Sequence, residues 1–573
     1  MHRREFLRRL SMTSAAWLAG CGQAQEPGST AGPPIRPDLD VAVIGGGMSG
    51  LYAAYRLLFQ SDSAMPPGLA AHLPPNRRQL RIGIFERSFR LGGRLHTIPT
   101  DEAPHVPCEI GGMRILNSHE LVLGLARQLQ LPYVPFGSTG SDNLFFVRGL
   151  RFRVQDVLQG GPAVPFDVTS EERGKLPFDL IRLAIENYVP QATQLDSTGW
   201  DQFKRNAILG GIPLTDWGWA DFLASQLSRE AIAFIREGLG YTSLLSNYNA
   251  ADMIHIIAND FPPSPAYFAI QGGYQRLPEA LGSHIQALGG EIFLGRELRS
   301  LVHQNSRFRL QFTGGEVAEA KVVILAMPPR ALQLLDPESE PIRRASFRTD
   351  LGAVSPNRAS RLFLAYRQSW WNSLGLKGGA SFTDLPMRMC CYMGTDPSGA
   401  GLLLASYTDL AAAEYWSRFL DRPPAGGTAT PFTTRNVSPE LQTPRLMVEE
   451  VQRQLSLLHG MNLPDPYWSS YIDWGQDPFG GWHFWNRGFR SYQIQPRIRR
   501  PIPGAPLFFC GEAFSFTQGW VQGALENTED VLREELGLGA PPWIDPADAP
   551  GPADPFTPGF AGTRSYYRTF AFG

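Results

Sequence analysis

Lysine is nearly absent from this chain. Among 52 Lys and Arg residues only Lys175, Lys204, Lys321 and Lys377 are lysines, so arginine carries almost all the positive charge. Acidic residues number 54 and the net charge is -2, which excludes the strongly basic footprint of a nucleic-acid binder. Cysteine is scarce too, with five in 573 residues. Cys390 and Cys391 are adjacent, and Cys108 and Cys510 stand far from them, so none has the short spacing of a zinc-ligand pair. The four beyond Cys21 read as small buried thiols, with no disulfide assigned. The apolar stretch Leu10–Gly20 is too short to cross a bilayer core of about 30 Å as a helix. What remains is ordinary for a globular protein, 43% hydrophobic and 18% charged, and long enough for two or three interlocked domains.

The chain opens His2-Arg3-Arg4-Glu5-Phe6-Leu7, a twin arginine followed after Glu5 by two apolar residues. With the short apolar stretch behind it, this reads as a twin-arginine export signal over residues 1–21, set aside from the fold. The signal ends Leu18-Ala19-Gly20-Cys21, which resembles a lipobox. That resemblance implies lipid on Cys21 and attachment to a membrane on its periplasmic side; an ordinary cleaved signal that leaves a periplasmic protein is the alternative. Residues 22–37 are rich in Pro, Gly and Ser and read as a linker.

Val41-Ala42-Val43-Ile44 is a continuous apolar run, as a buried parallel strand requires. Gly45-Gly46-Gly47-Met48-Ser49-Gly50 follows directly, and Ser49 to Phe59 reads as a helix. Gly45 permits a tight turn, Gly47 lets the backbone approach a pyrophosphate, and Gly50 lets helix and strand pack closely. Met48 and Ser49 then open a helix whose free N–H groups face phosphate charge. Ser61 to Arg78, with Pro66, Pro67, Pro74 and Pro75, reads as a loop insertion. Arg81 to Phe85 is a second strand, closed by Glu86, whose carboxylate suits ribose hydroxyls. The usual spacing to that acid is about 20 residues; here the proline-rich insertion lengthens it. The pattern predicts a dinucleotide site.

The next segment, Glu86-Arg87-Ser88-Phe89-Arg90-Leu91-Gly92-Gly93-Arg94, resembles the stretch after the second strand in the flavin-containing amine oxidase family. Far along the chain, Pro506 to Cys510 reads as an apolar strand. Gly511-Glu512-Ala513 and then Gly519-Trp520-Val521-Gln522-Gly523-Ala524-Leu525 follow and enter a helix, resembling the family's closing cofactor motif. The resemblance covers about Asp38 to Leu538 and implies FAD. It implies that Arg87, Gly93 and Arg94 approach the flavin and its phosphates, Arg94 through a forked hydrogen bond. It also implies that Gly511 and Glu512 meet the ribitol–phosphate region, and that Gly519, Trp520 and Val521 lie under the flavin.

Glu109-Ile110-Gly111-Gly112-Met113-Arg114-Ile115 resembles the L-amino acid oxidase branch of that family. There Gly112, Met113 and Arg114 lie against the cofactor, and the arginine meets the substrate carboxylate in a bidentate contact. A structural ion pair is the alternative for Arg114. Trp520 matches the position of an aromatic ring beside the flavin. Phe479-Gly480-Gly481-Trp482-His483-Phe484-Trp485 resembles an aromatic loop of amino acid oxidases, with Trp482 and His483 as candidate substrate contacts. In Ser360-Arg361-Leu362-Phe363-Leu364-Ala365-Tyr366, Arg361 matches a lysine that many family members place near the flavin. The two cations are not interchangeable, and a shifted register would instead put Arg361 in solvent.

The resemblance therefore implies an α/β protein: a Rossmann-type FAD-binding domain, glutathione-reductase-like, interleaved with a mixed α+β substrate domain and a helical insertion. The FAD-binding domain takes residues 38–116, 251–334 and 500–538. The substrate domain takes 117–160 and 335–499, the helical insertion 161–250, and a Pro-rich tail 539–573. The implied reaction is oxidation of an L-amino acid, with a lean toward a basic one, to a 2-oxo acid and ammonia. Oxygen or a membrane quinone is the acceptor. Oxidation of an amine lacking a carboxylate, and a redox-silent flavoprotein acting as a binding factor, stay open. No spacing reports the oligomeric state, and a dimer stays open.

Overall fold

The computed structural model describes residues 38–61, 65–74, 79–100, 103–137, 139–161, 164–260, 266–421, 432, 441–476 and 478–544. The export signal, Cys21, the linker at 22–37 and the tail beyond 544 lie outside the described residues.

The first apolar run forms the strand Asp38–Ile44, flanked in parallel by Ile82–Phe85 and Val317–Leu325. Glu291–Phe293 continues the sheet beyond Ile82–Phe85, and Leu507–Phe509 lies parallel to the end of Val317–Leu325. Parallel strands need both faces covered, and both are. On one face Met48–Ser61, Glu120–Gln128, Arg276–Ala287 and Val521–Asp530 share an apolar core with Val41, Val43 and Ile84. On the other, Ala42, Ile44 and Val323 pack with Phe85, Phe308 and Leu351. Leu298–Gln304 and Arg307–Phe312 form an antiparallel hairpin joined at Asn305 and Ser306, whose φ angles are 50° and 61°. The loop insertion after the first helix carries one short helix of its own, Pro67–Ala70, begun by the proline.

A second sheet runs in the order Trp468–Asp473, Ala359–Tyr366, Gly401–Asp409, Met389–Thr395, Ala380–Thr383, Leu144–Val147 and Leu150–Arg153. Ala359–Tyr366 is buried along its whole length, which brings the charged Arg361 into the interior. The helical block holds Pro177–Tyr188, Ser197–Asn206, Trp219–Gln226 and Arg229–Gly238 around Trp200, Trp219 and Phe234. Trp219–Gln226 and Arg229–Gly238 are separate helices because Ser228 caps the second by accepting from the Ala231 N–H at 3.1 Å. Ala250–Asp260 belongs to this block as well: Met253, Ile254 and Ile257 join its core. The expected boundary at 250 thus cuts in front of a helix that packs with the insertion. The four described cysteines are buried and free. At the start of the expected tail, Trp543 packs on Tyr52, Tyr55 and Phe59 of the first helix.

Candidate active site

The turn after the first strand opens a cavity of about 470 Å³. Gly45 sits at φ +114°, and a Cβ there would meet the Ala326 carbonyl oxygen at 2.2 Å. Gly47 differs: a Cβ there would meet nothing within 4 Å, because that side faces the cavity. Glu86 lines the cavity and accepts from the Gly46 N–H at 2.7 Å and from the Ser88 N–H and hydroxyl at 2.8 Å each. Arg90 ties the following loop together by donating to the carbonyls of Leu95 at 3.0 Å and Gly93 at 2.5 Å. The Ser49 hydroxyl donates to the Ala524 carbonyl at 3.2 Å, joining the two helix starts that sequence separates.

Every residue assigned to the cofactor lines this cavity except Gly50, Met113 and Arg114. Gly50 packs behind the turn, where a Cβ would meet the Gly45 carbonyl oxygen at 2.0 Å. Gly523 of the closing motif packs in the same way, where a Cβ would meet the Thr517 carbonyl oxygen at 2.1 Å. Met113 and Arg114 lie one cavity further on.

Glu512 is the electrostatic centre of the closing motif. It is buried, which by itself raises a carboxyl pKa, yet Arg94, His483 and the Gly519 N–H hold it well below the usual carboxylate range. Arg94 Nη1 lies 2.9 Å from it, His483 Nδ1 3.0 Å, and the Gly519 N–H donates at 2.8 Å. Arg94 Nη1 also donates to the Gly481 carbonyl at 3.2 Å. Its fork is therefore partly committed to the protein as well as facing the cavity. His483 supports Glu512, and its neighbour Trp482 lines the cavities.

A slot of about 130 Å³ adjoins the cofactor cavity across Trp482, Gly519, Trp520 and Val521. Its walls are aromatic. Tyr241 meets Tyr407 edge-on at 5.2 Å and Trp482 edge-on at 5.8 Å. His119 abuts Trp520 edge-on at 4.8 Å and is neutral, since burial pushes its pKa down to about 3. Arg114 stands at one end, its guanidinium 4.6 Å from the Tyr267 ring and 5.9 Å from that of Trp520. Its polar contact is the Tyr241 hydroxyl at 3.5 Å, and among the described residues no carboxylate pairs with it. Arg114 also borders a funnel of about 710 Å³ lined by Phe136, Phe178, Tyr267 and Phe382.

Arg361 is buried, not solvated, and lines both the cofactor cavity and the slot. Its Nη1 donates to the Glu109 carbonyl at 2.6 Å and to the Gly111 carbonyl; its Nη2 donates to the Tyr407 hydroxyl at 3.1 Å. It thereby clamps the segment that carries Arg114. Glu109 on that segment is pushed up to about 7 by burial, against the hydrogen bonds from Thr97 and the Tyr274 N–H and the charge of Arg361. Sequence reasoning missed Tyr241, Tyr407, His119 and Arg90. Arg90 lay within the quoted loop motif, but the other three carry no local signal.

The glycine turn, the open face at Gly47, the helix start and the placement of Glu86 fit a dinucleotide, and known proteins identify which. Residues 48–528 match the family model for flavin-containing amine oxidoreductases. The chain is 25% identical to a putative L-amino-acid oxidase, YobN, of Bacillus subtilis (strain 168), covering 86% of this chain and 94% of that one. It is 26% identical to the L-amino-acid oxidase of Mus musculus, over 85% of this chain and 69% of that one. In fold it is similar to wild-type putrescine oxidase bound to putrescine, with a TM-score of 0.61 and 18% identity over 87% of this chain and 98% of that one. The chain thus belongs to the flavin-containing amine oxidoreductase family, on the branch that holds the L-amino-acid oxidases, and its cofactor is FAD.

Proposed function

We propose that this FAD-dependent oxidoreductase oxidises the α-amino group of an L-amino acid, with oxygen as acceptor. The products are a 2-oxo acid, ammonia and hydrogen peroxide. One observation carries the reading: Arg114 puts a guanidinium into an aromatic slot beside the cofactor cavity with no carboxylate partner among the described residues. A cation so placed calls for an anion, and a substrate carboxylate supplies one with a bidentate hydrogen bond. FAD, when bound, supplies the two-electron acceptor for the Cα–H bond. The chain's own residues do the rest. Arg114 orients the substrate, Trp520, Trp482 and Tyr407 narrow the slot, and Arg361 keeps the Arg114 segment in place. The relatives named L-amino-acid oxidase support this reading. An amine lacking a carboxylate would leave Arg114 unmatched.

Anaerobic mixing of the FAD-loaded protein with each of the twenty L-amino acids tests the proposal through flavin absorbance. Bleaching by some of them is expected, with reoxidation and peroxide when air is admitted. Bleaching only by simple amines would sink it. Bleaching by no amine at all would point to the redox-silent alternative, and reoxidation by a quinone but not by air to the other acceptor. We further propose export by the twin-arginine route and lipid on Cys21, tested by the mass of the mature N-terminal peptide.

A further inference from the structure

The side chain of an amino acid held at Arg114 has two ways to run: deeper into the slot toward Leu244, Ile256 and Phe484, or outward into the funnel. Among the described residues, neither way offers it a free anion. No carboxylate lines the slot. Asp409, behind it, accepts from the Thr242 N–H at 2.7 Å, the Thr242 hydroxyl at 2.6 Å and the Ser243 N–H at 2.9 Å. Two carboxylates line the funnel. Glu109 accepts from the Thr97 hydroxyl and the Tyr274 N–H, both at 2.7 Å. Asp179 pairs with Arg182 and accepts from the Leu176 N–H at 2.9 Å. Spare cations are missing as well: Arg361 serves two carbonyls and Tyr407, and the funnel's His105 is joined to Asp396 at 2.9 Å.

We infer that the substrate's side chain is uncharged and apolar, either aromatic or long aliphatic, and that lysine and arginine are poor substrates. The inference rests on the carboxylate reading of Arg114. A buried ammonium or guanidinium needs a counter-ion; among the described residues the slot has no carboxylate, and each oxygen of the funnel's Glu109 and Asp179 is already hydrogen-bonded. Rings and methyl groups instead find the walls they match: Tyr241, Tyr407, Phe484 and Trp482 inward, and Phe136, Phe178 and Phe382 outward. The lean toward a basic amino acid is set aside on this ground.

Two carboxylic acids make the test independent of turnover. 3-Phenylpropionate and 6-aminohexanoate are phenylalanine and lysine without their α-amino groups. Each is titrated into the FAD-loaded full chain and followed by the perturbation of flavin absorbance. Binding of 3-phenylpropionate tighter by roughly 100-fold is expected. Equal or tighter binding of 6-aminohexanoate overturns the inference, and failure of both to bind overturns it together with the Arg114 reading. In the reductive half-reaction, phenylalanine, leucine and methionine are expected to outpace lysine and arginine by a similar factor, and parity overturns the inference. If no amino acid reduces the flavin but 3-phenylpropionate binds selectively, the oxidase proposal fails while the selectivity of the slot stands.

Discussion

The cofactor cavity and the slot share a wall, yet they treat charge in opposite ways. Around the cofactor cavity the carboxylates are held by the protein itself: Glu86 holds the Gly46 N–H, and Glu512 holds Arg94, His483 and the Gly519 N–H. In the slot a guanidinium stands among aromatic rings with a single hydroxyl contact. The first arrangement makes a rigid cradle whose parts depend on each other. The second leaves a charge for a ligand to complete. Changes in the cradle should therefore register in stability and FAD content, and changes in the slot in turnover.

Gly45→Ala should be the most severe change. Its Cβ would drive into the Ala326 carbonyl at a φ that L side chains rarely adopt. We expect no FAD-loaded protein on purification, checked by the flavin-to-protein absorbance ratio. Glu512→Ala comes next. It leaves a buried His483 and a half-buried Arg94 without their carboxylate, and loss of one partner from such a group costs about 4 kcal/mol. Thermal or urea unfolding measures it, and a loss under about 1 kcal/mol would break the picture of a mutually dependent cradle. Arg114→Met tests the other side. We expect kcat/KM for amino acids to fall by about 100- to 1000-fold, with FAD content and Tm unchanged; a matching loss of FAD would erase the contrast.

Glu109→Gln is smaller and depends on pH. Burial raises this carboxyl from 4.5 to about 7, so in that window the folded protein keeps a proton that the unfolded chain has released. Wild-type stability should fall as pH rises through the window and level off above it. The variant should lack that decline, a difference on the order of 3 kcal/mol at most, measured by urea titration at pH 5 and pH 8. Tyr407→Phe should be mildest. It removes the hydroxyl that accepts from Arg361, worth about 1.5 kcal/mol, and should raise KM only modestly.

The same contrast governs how much the sequence disclosed. The cradle was legible because its chemistry is local: a glycine turn needs consecutive glycines, and Glu86 closes a short strand of apolar residues. The closing motif was legible for the same reason. The slot was legible where short motifs happen to pass through it, at Arg114, Arg361, Trp482 and Trp520 among others. Tyr241 follows a helix of the insertion and Tyr407 sits on a strand of the second sheet, and nothing in their neighbours marks a site. Packing of the insertion against the second sheet brings their ring centroids to 5.2 Å. The helix Ala250–Asp260 went to the wrong side of a boundary because an amphipathic stripe announces burial without naming the partner.

The FAD site is also a matter of timing. The glycine turn is made when residue 47 has been synthesised, but its cavity lacks a wall until Gly511 to Val521 have followed. A ribosome extends the first strand long before Val317–Leu325 and Leu507–Phe509 can complete the sheet beside it. Such distant pairings close slowly and only after the intervening chain is released. The flavin must then wait for a nearly whole polypeptide, so no fragment ending before the closing motif should retain it.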